Sequence, residues 1–219
     1  MKELILVSTK LKEADFFLEK MISANKHIDE LDYYFSAYCS AARSVTFVLQ
    51  YIGRDITGFD EWYTQIQTKM KNNIICKYLL EARNESQKKG ICPIARGIEF
   101  ELSSGEKQLL HYFSYYRDDQ PAKIPSDDVI TTCKDQMKIL VEIVSDFFAK
   151  FEDLAWNQEN AKANIITHFR DSVEKGQIPA FVIAPTETFL TSPDFHPPKP
   201  SDAIHNLKDK YHAQGHETS

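Results

Sequence analysis

The residues best suited to chemistry cluster at one helix end, Leu79-Leu80-Glu81-Ala82-Arg83-Asn84-Glu85-Ser86-Gln87-Lys88. Arg83 carries a guanidinium whose planar fork matches a phosphate bidentately. Asn84, beside it, brings an amide that donates to the same ligand or orients a reacting group. Lys88 and Lys89 follow about one turn later, where cations also complement the helix dipole. Arg43 and Gln50 stand seven apart on one flank of an earlier helix and join Lys89 as candidate binding residues. The competing reading of Arg83 is an ion pair with Glu81 or with a glutamate of a neighbouring helix, the commoner use of such a residue. On that reading the chain is a purely structural helical protein.

Other groups carry less. Cys39, Cys76, Cys92 and Cys133 are far apart and form no CxxC or similar metal spacing. Cys39, Cys76 and Cys133 sit on apolar helical patterns, which predicts buried free thiols. His196, His205, His212 and His216 fall in a Pro-rich tail, outside any helix that would pair them as ligands, so a solvated tail outweighs a metal site. His168 reads as a helix-edge residue, and Asp127 and Asp128 as dipole partners of a helix start. Neither a Gly-rich phosphate loop nor GxSxG occurs. No metal and no cofactor is expected.

The elements that must position Arg83 are helices. Hydrophobic residues make up 42% of the 219, enough for a sizeable core. Leu4–Val7 is a strand or a lead-in to a first helix, Lys10–Ala24, with Ser8 and Thr9 as caps. A second helix, Asp29–Ile52, steps by four and three through Leu31, Phe35, Tyr38, Ala42, Val45, Leu49 and Ile52, with Gly53 as terminator. A third follows Gly58 and a fourth covers Ile74–Lys88. The period then changes to two at Ile98, Phe100 and Leu102; Ser103-Ser104-Gly105 reads as a turn and Gln108–Tyr116 as a returning strand. A fifth helix begins near Ser126, and a sixth, Gln158–Lys175, closes at Gly176. Ala180–Ala184 reads as a strand.

The expected fold is therefore mainly α: an up-and-down bundle of five to six helices over residues 1–176, with a small β-hairpin inserted at about 97–117. Residues 177–219 form a Pro-rich arm or tail whose composition builds little core. The net charge of −6 argues against non-specific duplex binding and against docking on an anionic membrane. No apolar run is long enough to span a bilayer, and the start is too short and too soon charged for a signal peptide, so a cytoplasmic protein is expected.

With these elements in place, the chain resembles the HEPN-domain family, helical bundles that include ribonucleases of toxin–antitoxin, CRISPR and phage-defence systems. The resemblance spans residues 10–150 by architecture. By motif it rests on Tyr34-Phe35-Ser36-Ala37-Tyr38-Cys39-Ser40-Ala41-Ala42-Arg43-Ser44, on Phe59-Asp60-Glu61-Trp62-Tyr63 and on Ala82-Arg83-Asn84. Active members carry an Arg, often followed by a polar residue such as Asn, then a His a few residues on. Arg83 and Asn84 match; the place of the His falls near Lys88, and Gln87-Lys88-Lys89-Gly90 holds none. Cleavage by a ribose 2′-hydroxyl wants an acid or base that titrates near neutrality, and lysine is a poor one. The resemblance thus implies a non-catalytic module that acts through homodimerisation and through RNA or a cognate protein partner. The alternative is a metal-independent endoribonuclease in which Arg83 stabilises the phosphate, Asn84 orients it, and Lys88 or His111 replaces the His.

Overall fold

The computed structural model describes residues 4–95, 97–101, 103–105, 107–114 and 124–212. Eight α-helices and one two-stranded antiparallel sheet make up these residues: α1 (Ile5–Ser23), α2 (Ile28–Gly53), α3 (Phe59–Asn72), α4 (Ile74–Lys89), β1 (Ile98–Glu101), β2 (Lys107–Leu110), α5 (Val129–Ala155), α6 (Gln158–Glu174), α7 (Ala180–Thr191) and α8 (His205–His212), the last preceded by a 3-10 turn at Pro200–Ile204. The protein is mainly α with an inserted hairpin. None of the described helices is long and apolar enough to cross a membrane.

The core forms where the apolar stripes of α1, α2 and α5 meet. Leu11, Leu18, Phe35, Leu49, Met137 and Phe147 are fully buried there, each contributing about 1.5–3 kcal/mol by leaving water. Tyr38 keeps its hydroxyl satisfied inside this core by donating to the Cys133 carbonyl at 2.8 Å. Phe59, at the start of α3, joins Trp62, Tyr63, Phe147 and Phe151 in an aromatic cluster. Gly53 ends α2 beneath it. Its φ is not positive, so it does not act as a left-handed terminator. A Cβ at Gly53 would meet the Phe59 ring at 2.1 Å, so the glycine is there for close approach.

Several local expectations change. Leu4–Val7 is helical, α1 having begun at Ile5, so Ser8 lies inside the helix and donates to the Pro200 carbonyl at 3.0 Å instead of capping. The fifth helix starts at Val129 because the Asp128 carboxylate caps it, accepting from Ile130 N and Thr131 N. The returning strand is shorter than the apolar pattern suggested: pairing runs from Ile98↔Leu110 to Glu101↔Lys107, with a further bridge at Ile94↔Phe113. Leu102, Tyr115 and Tyr116 lie outside the described residues. Ala180–Ala184 is the first part of a helix, α7, which tolerates Pro185 within it. β-branched and aromatic residues there mimicked a strand, and the pairing of α7 with α6 decides otherwise.

Of the two alternatives for residues 177–219, the stretch from Pro200 to Tyr211 is an arm laid over the body, and it adds core that its composition did not announce. Among its polar and proline residues, Ile204, Leu207 and Tyr211 recur at steps of three and four and are buried against α1 and α5. Polar ties fix the arm. Ser201 donates from its backbone N and its hydroxyl to Glu152, both at 2.7 Å, and Lys210 and the Tyr211 hydroxyl converge on Asp15. Composition alone hid three core residues.

Candidate functional site

α4 brings the predicted residues to one side of the bundle. Asn73 starts the helix by accepting from Cys76 N at 3.0 Å, and Gly90 ends it in the left-handed region, at φ 68°. Its apolar residues Tyr78, Leu79 and Ala82 are buried. Its C-terminal half is fastened to α2 through Ser36 and Ser86, whose hydroxyls lie 2.7 Å apart, and through Gln87, which donates to Ser40 Oγ at 2.9 Å. Arg83 sits one turn after Leu79 and Leu80 and one turn before Gln87, on the side of α4 that meets α2.

Arg83 is half-buried. One terminal nitrogen donates to Asn84 Oδ1 at 3.2 Å, while the buried Nε has no hydrogen-bond partner. Among the described residues no carboxylate pairs with it, neither Glu81 nor a glutamate of another helix. Asn84 therefore has its acceptor engaged by Arg83 and keeps its NH2 to donate elsewhere. Lys88 is exposed, whereas Lys89 is held by Glu85 at 2.7 Å.

The other candidate residues separate. Arg43 donates to Thr46 Oγ1 at 3.0 Å and lies over the Phe47 ring at 4.4 Å. It edges a cavity of about 350 Å³ bounded by α2, α3, α4 and α5. Gln50 is committed instead to the Thr46 carbonyl and the Tyr63 hydroxyl, at 3.1 and 2.8 Å. Buried Leu79 and Leu140 make the cavity floor apolar, and the exposed Leu80, Lys71 and Lys77 join Arg43 at the rim. Sequence reasoning passed over Lys71, Lys77 and Gln136. Two signals were available. Lys77 occupies the first turn of α4, where a cation opposes the dipole, and Gln136 stands four residues before Leu140 on the buried side of α5.

His111 lies elsewhere, at the end of the hairpin against the α1–α2 junction. It is 4% exposed, with Nε2 2.8 Å from the Asn25 carbonyl and Nδ1 3.4 Å from that of Ala95. Both ring nitrogens face backbone oxygens, and the ring is not presented to Arg83. Asp32 and Cys92 are near it. Burial pushes the Cys92 thiol far above its ordinary value, and the adjacent Asp32 carboxylate pushes it the same way. A thiol so held stays protonated and is no nucleophile. The cluster is structural. Among the described residues no group of three His, Cys, Asp or Glu side chains is placed to hold a metal ion.

The sequence family described as bacteriophage lambda protein ea47 matches residues 4–126, which takes in α1 to α4, the hairpin and every candidate residue from Arg43 to Lys89. No curated protein and no solved structure matches the chain. Since the match spans more than half of the sequence, the chain belongs to the bacteriophage lambda protein ea47 family.

Proposed function

We propose that the protein is a non-catalytic, HEPN-like module that binds single-stranded RNA through the α2–α4 side and acts as a homodimer in the cytoplasm. One observation carries this reading. Arg43, Lys71, Lys77, Arg83 and Lys88 pair with no carboxylate among the described residues, in a chain whose net charge is −6. Cations without carboxylate partners on an acidic protein suit an anionic ligand, and a phosphate backbone is the anion a guanidinium fork fits best. The negative remainder of the surface disfavours non-specific duplex DNA. Four free cysteines suit a reducing compartment.

Cleavage is the weaker reading. Among the described residues Arg83 and Asn84 hydrogen-bond to each other and to no further titratable side chain, Lys88 is exposed, and His111 is engaged with two carbonyls on another part of the bundle. Self-association has its own support. α7 leaves Phe181 and Phe189 81% and 60% exposed, large apolar side chains of the kind that mark contact with another chain.

Fluorescence anisotropy of a labelled mixed-sequence RNA single strand tests the reading. Saturable, salt-sensitive binding is expected, weakened about tenfold or more in Arg83→Ala, since one charge-assisted contact is worth about 1.5–3 kcal/mol. The RNA should remain intact, with or without EDTA. Binding unchanged by Arg83→Ala, or no binding at micromolar protein, overturns the assignment. Metal-independent cleavage that disappears in that variant restores the nuclease reading.

A further inference from the structure

The interior of the cavity between α2, α3, α4 and α5 has features that RNA binding at its cationic rim does not explain. It holds about 350 Å³, the lower end of the range for small-molecule sites. Among the described residues its lining contains no carboxylate, while Arg43, Lys71 and Lys77 stand at its edge. Cys39 and Cys76 add thiols that burial raises, Cys76 to about 11, so neither presents a negative charge at neutral pH. Among the described residues, an anion entering the cavity meets apolar, neutral polar and cationic groups.

Gln136 supplies the second and independent observation. It lines the cavity, is 7% exposed, and its buried Oε1 has no hydrogen-bond partner. An unpartnered buried carboxamide oxygen is destabilising, and such a group marks a place where a donor is wanted. The walls around it are shaped for an apolar body: Leu79, Leu80, Met70 and Leu140 surround the same space, and Tyr63 adds a ring at one side.

We propose that this cavity binds a small amphipathic anion: an apolar, preferably aromatic body, one anionic group held at the Arg43–Lys71–Lys77 rim, and one N–H or O–H donated to Gln136. The site shares its Arg43–Lys71–Lys77 rim with the surface proposed for RNA, whereas the neutral amine and Gln136→Leu read the cavity alone, so the two proposals can fail separately. Anilinonaphthalene sulfonate has all three features, and phenylnaphthylamine keeps the body and the N–H without the charge. The folded full-length chain is expected to bind the sulfonate at one saturable site. Lys71→Glu with Lys77→Glu should weaken it about tenfold or more, by replacing attraction with repulsion at the rim. Binding of the neutral amine should change little. Both lysines are exposed, so these variants should fold normally.

Gln136→Leu gives a result with opposite signs. Removing the unpartnered oxygen should raise the Tm of the unliganded protein by roughly 2–4 °C and weaken both probes. Three outcomes overturn the proposal. The first is no saturable binding of the sulfonate. The second is equal sulfonate affinity after both lysine substitutions. The third is a lowered Tm in Gln136→Leu with probe affinity intact, which would make the carboxamide a purely structural group.

Discussion

Arg83 separates a binding role from a structural one because its partners are so few. A guanidinium that held the bundle together through a buried ion pair would leave an uncompensated charge when truncated, at about 3–5 kcal/mol. Arg83 has only Asn84 Oδ1, and its buried Nε is unpartnered. Arg83→Met should therefore keep the melting temperature of the parent, or raise it slightly, while RNA binding falls. A drop of several degrees in that variant would return Arg83 to a structural role. Asp32 allows a second test, through pH. Burial raises its carboxyl above the ordinary range; the Cys92 hydrogen bond opposes this, Asp29 adds to it, and His111 opposes it. The folded state therefore holds the Asp32 proton more tightly than the unfolded chain does. The stability this contributes is complete below the unfolded value of about 3.9 and is lost as pH rises through the folded value. At neutral pH the carboxylate is a net cost, so Asp32→Asn should stabilise there, with the gain shrinking in acid. Thermal melts at neutral and acidic pH read the difference, and an equal shift at both would refute the raised carboxyl.

At the scale of elements, what could be read from the sequence and what could not follow from how far each residue's partner lies along the chain. α2 and α4 were legible because apolar steps of three and four, Asn73 at one start and Gly90 at one end are local signals. The hairpin was legible from its alternation, although its second strand is only four residues long. Gly53 was visible but misread, since the reason for it is the ring of Phe59 held from the far side by α5. The candidate site divides in the same way. Arg83 and Asn84 are adjacent in sequence and bonded in space, whereas the cavity joins Lys71, Lys77 and Gln136 across three helices, and no spacing rule connects them. Gly53 gives a clear test of an element junction. Gly53→Ala drives a methyl into Phe59, whose ring is fixed by Trp62, Tyr63, Phe147 and Phe151 and has nowhere to yield. Overpacking of this kind costs about 1–3 kcal/mol, and chemical denaturation should show a loss of that size with an unchanged slope. A neutral result would mean that the α2–α3 corner adjusts freely.

For the whole molecule, the family match and the folding unit have different limits. The match ends at residue 126, yet the faces of α1 and α2 that make the core pack on α5, and α1 and α5 are closed over by the Pro200–Ile204 turn and α8. A chain of residues 1–126 would expose Leu11, Leu18, Phe35 and Leu49 on the side where Met137, Leu140, Val144 and Phe147 belong. Loss of even the arm is severe. Ile204, Leu207 and Tyr211 together bury side chains worth roughly 4–8 kcal/mol, against a total stability of about 5–15 kcal/mol for a domain. Two results are expected. The fragment ending at residue 126 should lack cooperative unfolding by circular dichroism. A chain ending at Pro198 should fold, if at all, with a transition displaced far below that of the parent. A cooperative, parent-like melt of the shorter fragment would show that α1 to α4 and the hairpin make a self-sufficient domain and that α5 to α8 are an addition to it. Dimerisation can be read on the same samples. Phe181→Ser with Phe189→Ser alters side chains that are already exposed, so the melt should hold while light scattering falls from the dimer to the monomer mass. A wild-type monomer, or a dimer indifferent to both substitutions, rules out the α6–α7 face as the contact.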